Sequence, residues 1–182
     1  MSKDINVYIG LGVEDDQDWS YLYPRPQTLF KKIKENRFEA NTTNNMLMCP
    51  AVTSKFKKTL VFENILKCKY EYDFTNNNKI VIPTSEQFIG YVLENDQSLN
   101  MGPVVHFNLK YFIFADEPID ANFIPPYFSE PRYMKYGSVI PGEFNIGKWF
   151  RPYLFQVQMW NNKGIFEIDE EPLFYLELKT NK

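Results

Sequence analysis

From Leu66 to Phe74 the chain alternates strictly, with Cys68, Tyr70, Tyr72 and Phe74 on one side and Lys67, Lys69, Glu71 and Asp73 on the other. Successive side chains of a strand point to opposite faces, so this period of two predicts a half-buried strand. The turn-forming run Thr75-Asn76-Asn77-Asn78 ends it, and Lys79 to Ile82 reads as the strand that pairs back in a hairpin. The period returns from Val104 to Phe114, where Val105, Phe107, Leu109, Tyr111 and Ile113 oppose His106, Asn108 and Lys110. Asp4 to Val13 is expected as another strand, because Ile5, Val7 and Ile9 alternate with Asn6 and Tyr8. Ser138 to Ile140, Leu154 to Trp160, Ile165 to Ile168 and Leu173 to Leu178 complete the set, with Asn161-Asn162-Lys163-Gly164 read as a second hairpin turn.

Helical spacing is clearest from Thr28 to Arg37. There Leu29, Phe30 and Ile33 share a face, Thr28 can cap the start, and Lys31, Lys32 and Lys34 can face water. This segment is expected to be the longest helix. Short strands separated by turns predict a mostly β fold, an antiparallel sandwich or barrel with one or two short helices. The proline-rich stretch Glu117 to Pro131 is too aromatic for a free linker. It reads as an ordered loop crossing between sheets, in which Phe123, Tyr127 and Phe128 seek burial.

The length of 182 residues fits one domain, residues 1–182, large enough to bury a core without staples. Aromatic residues make up 17% of the chain, with 16 Phe and 12 Tyr, and this excess favours strands. The net charge of -3 gives no global attraction to phosphate backbones or anionic membranes, so neither nucleic acid nor a membrane is an expected partner. Cys49 and Cys68 form no Cys-x-x-Cys pair and His106 is the single histidine, so neither a metal site nor a cofactor is expected. The start Met-Ser-Lys-Asp carries no signal-peptide pattern and no apolar run reaches spanning length; the expected setting is a reducing cytoplasm, with both cysteines as free thiols.

Candidate chemistry is sparse. His106 is the one residue suited to neutral-pH general-base work, and with Cys49 it would make a nucleophile pair if the two met; the plainer reading is a histidine on a polar strand face. Glu14, Asp15, Asp16 and Asp18 offer hard oxygen ligands but lack the spacing and glycine of a calcium loop, which favours a solvated loop. The same holds for Asp169-Glu170-Glu171. The run Gly147-Lys148-Trp149-Phe150-Arg151-Pro152 joins two cations to two aromatics, a combination able to stack a base or hold a phosphate. Lys55, Lys57 and Lys58 form a second basic spot. Cation stems also lie routinely over aromatic surface, which is the structural alternative for both.

The order Gly137-Ser138-Val139-Ile140-Pro141-Gly142-Glu143-Phe144-Asn145-Ile146-Gly147, then an aliphatic strand, then Phe166-Glu167-Ile168-Asp169-Glu170-Glu171-Pro172-Leu173, resembles the last third of the dUTPase family. Glu130-Pro131-Arg132 stands where that family has its Pro-Arg-Ser phosphate motif. The same stretch is similar to a family of tailed-phage proteins without an assigned role. The dUTPase resemblance implies a β-clip fold and a homo-oligomer, a trimer in that family. Its chemical positions are replaced here: Pro141 stands for the catalytic Asp, Phe144 for the stacking Tyr, Asn145 for the following Arg, and Tyr133 for the motif Ser.

Two functions are therefore expected in order. The first is a non-enzymatic phage-type protein acting by assembly or binding, such as a virion component partnered by copies of itself or by other virion proteins, in the host cytoplasm or the virion. The exposed-looking Trp149, Phe150 and Trp160 would suit such an interface. The second is a divergent dUTPase-like protein that binds or hydrolyses a nucleotide with Arg132, Glu143 and Lys148 around a Mg2+-bound triphosphate, and Trp149 and Arg151 nearby. Convergence of Arg132, Glu143 and Lys148 separates the two.

Overall fold

The alternation of residues 66–74 forms strand β4 (Cys68–Asp73), with Tyr70, Tyr72 and Phe74 buried and Lys69, Glu71 and Asp73 exposed. The longer alternation forms β7 (Val104–Ala115), whose odd-numbered residues from Val105 to Ala115 are buried. The computed structural model describes residues 6–11, 24–40, 45–64, 67–75, 80–81, 90–91, 103–150 and 152–179. The remaining strands are β1 (Val7–Leu11), β2 (Gln27–Thr28), β3 (Thr59–Glu63), β5 (Ile80–Val81), β6 (Gly90–Tyr91) and β8 (Asp120–Ile124). They are followed by β9 (Gly137–Val139), β10 (Gly142–Asn145), β11 (Pro152–Met159), β12 (Lys163–Ile168) and β13 (Pro172–Lys179). Helices are α1 (Leu29–Ala40) and α2 (Pro50–Lys57), with short 3-10 turns at Asn45–Met48 and Arg132–Lys135. The protein is mostly β, with few and short helices.

Among the described strands every pairing is antiparallel, and three sheets result. The first runs β1-β7-β11-β9, with β6 also on β7; the second β10-β8-β13-β3-β2; the third β12-β4-β5. Among the described residues no sheet closes into a barrel. Rings fill the space between them. Phe62 of β3 meets Tyr111 of β7 edge-on at 5.2 Å, and Phe174 of β13 stacks on Phe62 at 4.5 Å and lies 4.2 Å from Phe123 of β8. At the other end of the same face Phe107 of β7 stacks on Phe166 of β12 at 5.4 Å. The second and third sheets thus share the inner face of the first, in a sandwich whose core is built from aromatic pairs.

The helices cover the outer face of the second sheet, where Leu29, Phe56, Val61 and Tyr175 form a separate apolar cluster with Phe30, Ile33 and Val52. Alternation along β3 and β13 explains the division: Phe62 and Phe174 turn inward, while Val61 and Tyr175 turn towards the helices.

Three expectations need correction. Asn161 to Gly164 is no hairpin, because β12 pairs with β4 and β11 pairs with β7 and β9; the turn carries the chain from one sheet to another. Residues 117–131 are not all loop, since β8 lies within them and buries Ala121 and Phe123. Tyr127 and Phe128 do not reach the core. They are half-exposed and lean on Tyr175 and Phe56 of the helix-side cluster, at 5.0 and 4.9 Å. The helix read from Thr28 starts one residue later, with the Thr28 hydroxyl accepting the Lys31 amide at 3.3 Å, and it is the longest among the described residues. The expected hairpin of β4 with residues 79–82 is present as Glu71 opposite Val81 and Tyr72 opposite Ile80.

Candidate functional site

The aromatic run Trp149-Phe150 sits at the end of a tightly tied loop. Asn145 begins it: its side-chain amide donates to Asp120 at 2.8 Å, its side-chain carbonyl accepts the Gly147 amide at 3.2 Å, and its backbone carbonyl accepts Lys148 and Trp149 at 3.2 and 3.0 Å. Ile146 joins two sheets, donating to the Ile119 carbonyl at 2.9 Å and accepting the Ala115 amide at 3.2 Å. Gly147 is needed for close approach. A Cβ there would run into the Glu117 carbonyl and come within 2.8 Å of the Pro118 Cα. The loop is therefore pressed onto residues 117–118, and Phe150 lands on the outer face of the first sheet.

On that face Phe150 stacks on Phe112 at 5.0 Å and meets Phe114 edge-on at 5.5 Å, while Phe114 stacks at 5.0 Å on Tyr8, its register partner across β1. These rings are not core. Tyr8 is 45% exposed, Phe114 36%, Trp149 51% and Phe150 65%. Further along the same face, the Gln156 amide lies 3.0 Å from His106 Nδ1.

Arg132 belongs to a different site. It opens the second 3-10 turn, and its guanidinium lies 3.5 Å from the Asp169 carboxylate, which also holds Lys67 at 3.5 Å. Lys69 and Glu167, cross-strand partners on β4 and β12, stand 3.8 Å apart beside them. These five residues and Ile168 line a cleft of about 200 Å³. Glu171 fixes its wall by accepting the backbone amides of Arg132 at 2.6 Å, Tyr133 at 3.5 Å and Asp169 at 3.3 Å. Asn64 fixes the other side, exchanging two backbone bonds with Glu171 and donating its side-chain amide to the Asp169 carbonyl at 2.9 Å. The Glu170 amide, Lys67 and Arg132 together hold the Asp169 carboxyl below the usual carboxylate range.

Glu143 lies on β10 at the edge of the second sheet and pairs with Lys179 at 2.5 Å. Lys148 follows in the turn after β10. Arg132 is tied to Asp169 and Glu171, just before β13, whereas Lys179 is the last residue of that strand. Eight residues of strand put these ends roughly 20–25 Å apart. Glu143 and Lys148 thus share one end of the sheet and Arg132 stands at the other. Arg151 and the acidic residues Glu14 to Asp18 lie outside the described residues.

Cys49 is exposed at the start of α2, on the helical side of the second sheet, while His106 is on the outer face of the first; two sheets separate them and no pair forms. The basic spot is engaged structurally. Lys55 lies over Tyr127 at 5.6 Å and pairs with Glu177 at 3.4 Å, and Lys57 lies over Phe30 at 5.3 Å. The cleft residues Lys67, Lys69 and Glu167 were not singled out from sequence, because alternation marks them only as the wet face of two strands whose pairing it does not reveal. No family model matches this chain, and neither curated proteins nor solved structures give a match.

Proposed function

We propose that the protein works without catalysis, by assembly or binding, and that the aromatic end of its first sheet is the contact surface. The observation that carries this reading is the exposed row Tyr8, Phe114 and Phe150, with exposed Trp149 next to Phe150 in the chain. At about 200 Å² per ring, their exposed fractions amount to roughly 400 Å² of aromatic surface. That matches the largest apolar patch of an ordinary monomer, which is often functional, and supplies half of the ~800 Å² that each partner buries in a standard interface. The loop beneath is pinned by Asn145, Ile146 and Gly147, so little ordering entropy opposes binding. The resemblance to tailed-phage proteins points to a virion setting, with copies of this chain or another virion protein as partner.

The nucleotide reading needs Arg132, Glu143 and Lys148 around one ligand, and the length of β13 holds Arg132 away from the other two. The test is light scattering over a wide concentration range, with co-sedimentation on phage particles, for the wild type and for Trp149→Ser combined with Phe150→Ser. The wild type is expected to associate with itself or with particles, and the variant to lose this while keeping its circular dichroism. A wild type that stays monomeric and binds no particle would overturn the reading.

A further inference from the structure

We infer that the cleft between β4, β12 and the Arg132 turn is an oxyanion site that takes a single phosphate-sized group. It lies on other strands than the aromatic face and stands independently of it. Three cations from two segments meet there: Lys67 and Lys69 on one side of the chain entering β4, and Arg132 on the 3-10 turn.

The charges are layered. The side chains of Glu167 and Asp169 are 34% and 23% exposed and form the floor with buried Ile168, whereas those of Lys67, Lys69 and Arg132 are 73%, 61% and 60% exposed and form the rim. An arriving ligand meets cations first. Their own pairings are loose, at 3.5, 3.5 and 3.8 Å, against the 2.7–2.9 Å or so of a good charge-assisted bond. Each ammonium carries three N–H donors and the guanidinium five, so these single long contacts leave most donors available to a further acceptor. The floor carboxylates offset part of the rim charge and compete for the rim cations only through these long contacts. The lining carries three cations and two carboxylates, with the Glu171 carboxylate turned into the wall behind them on backbone amides.

Size and shape narrow the ligand. The cleft, at about 200 Å³, is below the ~300 Å³ at which pockets begin to enclose whole drug-sized ligands, so it takes a group and not an entire nucleotide. Several N–H donors around so small a space suit a compact oxyanion such as phosphate. The wall is preformed, since Glu171 and Asn64 fix Arg132 and Asp169 through five backbone amides and a side-chain amide. Free phosphate and a phosphate monoester present the same chemistry here.

The experiment is calorimetric titration with inorganic phosphate and, separately, O-phosphoserine, each against chloride at equal ionic strength. The proteins are the wild type, Lys67→Gln, Arg132→Gln and Asp169→Asn. Either cation variant is expected to weaken binding about tenfold. Asp169→Asn should bind several-fold more tightly, because it releases Lys67 and Arg132 while its amide oxygen still accepts the Glu170 amide. A purely structural cluster would show no such gain. Binding of both ligands, or of free phosphate alone, upholds the site and tells whether an ester is tolerated. Heat no greater than with chloride, equal binding by all variants, or weaker binding by Asp169→Asn would overturn it.

Discussion

Tyr133→Phe removes one oxygen from the interior. Tyr133 is fully buried, its ring 5.2 Å from Phe155 edge-on, and its hydroxyl donates to the Leu173 carbonyl. Leu173 is also buried and lies where β13 is irregular: pairing with β3 jumps from Pro172 to Phe174, and pairing with β8 begins only at Tyr175. The phenol thus serves a carbonyl at a bulge that the neighbouring ladders pass over. Deleting it leaves a buried acceptor unmatched, which costs about 1–3 kcal/mol. For a protein of this length the midpoint then falls by roughly 4–8 °C for a loss near 2 kcal/mol. Urea unfolding with an unchanged m value is the assay, with Tyr136→Phe as control, since that hydroxyl makes only a 3.3 Å bond to Glu167 near the surface. A second signature is alkaline. Burial pushes the Tyr133 phenol far above its ordinary value near 10, so its stabilisation is complete below pH 10 and is lost as pH rises beyond it. The variant should therefore lose stability less steeply above pH 10. A Tyr133→Phe protein within 0.5 kcal/mol or so of wild type, with the same alkaline slope, would refute the bulge account.

Phe174→Ala is expected to cost about 3–5 kcal/mol in urea unfolding, because the ring is fully buried between Phe62, Phe123 and Tyr153; a loss under about 1 kcal/mol would mean that the two sheets do not meet there. Gly147→Ala should cost about 1–3 kcal/mol through overpacking against Glu117 and Pro118, and should weaken association by displacing Trp149 and Phe150; calorimetry and light scattering read the two effects. Asp169 ionises below the usual carboxylate range, so its contribution is present above about pH 4 and disappears as pH falls through the depressed value. Asp169→Asn should accordingly flatten the acid limb of a stability–pH profile, and an unchanged limb would show that the carboxylate gains nothing from the Glu170 amide, Lys67 and Arg132 together.

The legible part of the fold was the part governed by side-chain period. β4 and β7 follow from alternation because each has one dry and one wet face, and α1 follows from the spacing of Leu29, Phe30 and Ile33. β8 was hidden because Asp120, Ala121 and Asn122 are weak strand formers between Pro118 and Pro125; pairing on both sides, with β10 and β13, supplies what propensity lacks. α2 was hidden because eight residues give too little period to read, although Pro50 at its first turn is a start signal. The turn after β11 misled because a short polar connection looks the same whether the next strand pairs with the last one or with another sheet. That same ambiguity concealed the cleft: Lys69 and Glu167 meet only because β12 crosses to β4.

The candidate contact surface, by contrast, was written in a departure from pattern. The even positions of β7 begin as His106, Asn108 and Lys110, as expected for a wet face, and end as Phe112 and Phe114. Nothing in the sandwich requires aromatics there, since the odd positions already fill the core. The change falls where β1 brings Tyr8 opposite Phe114 and where the loop tied by Asn145 delivers Phe150 onto Phe112. Three segments remote in sequence thus put rings on one outward face, while the described helices pack on the second sheet. Exposed aromatic surface promotes unwanted association unless it has a partner, so its concentration at one end of one sheet is what supports the proposed assembly role.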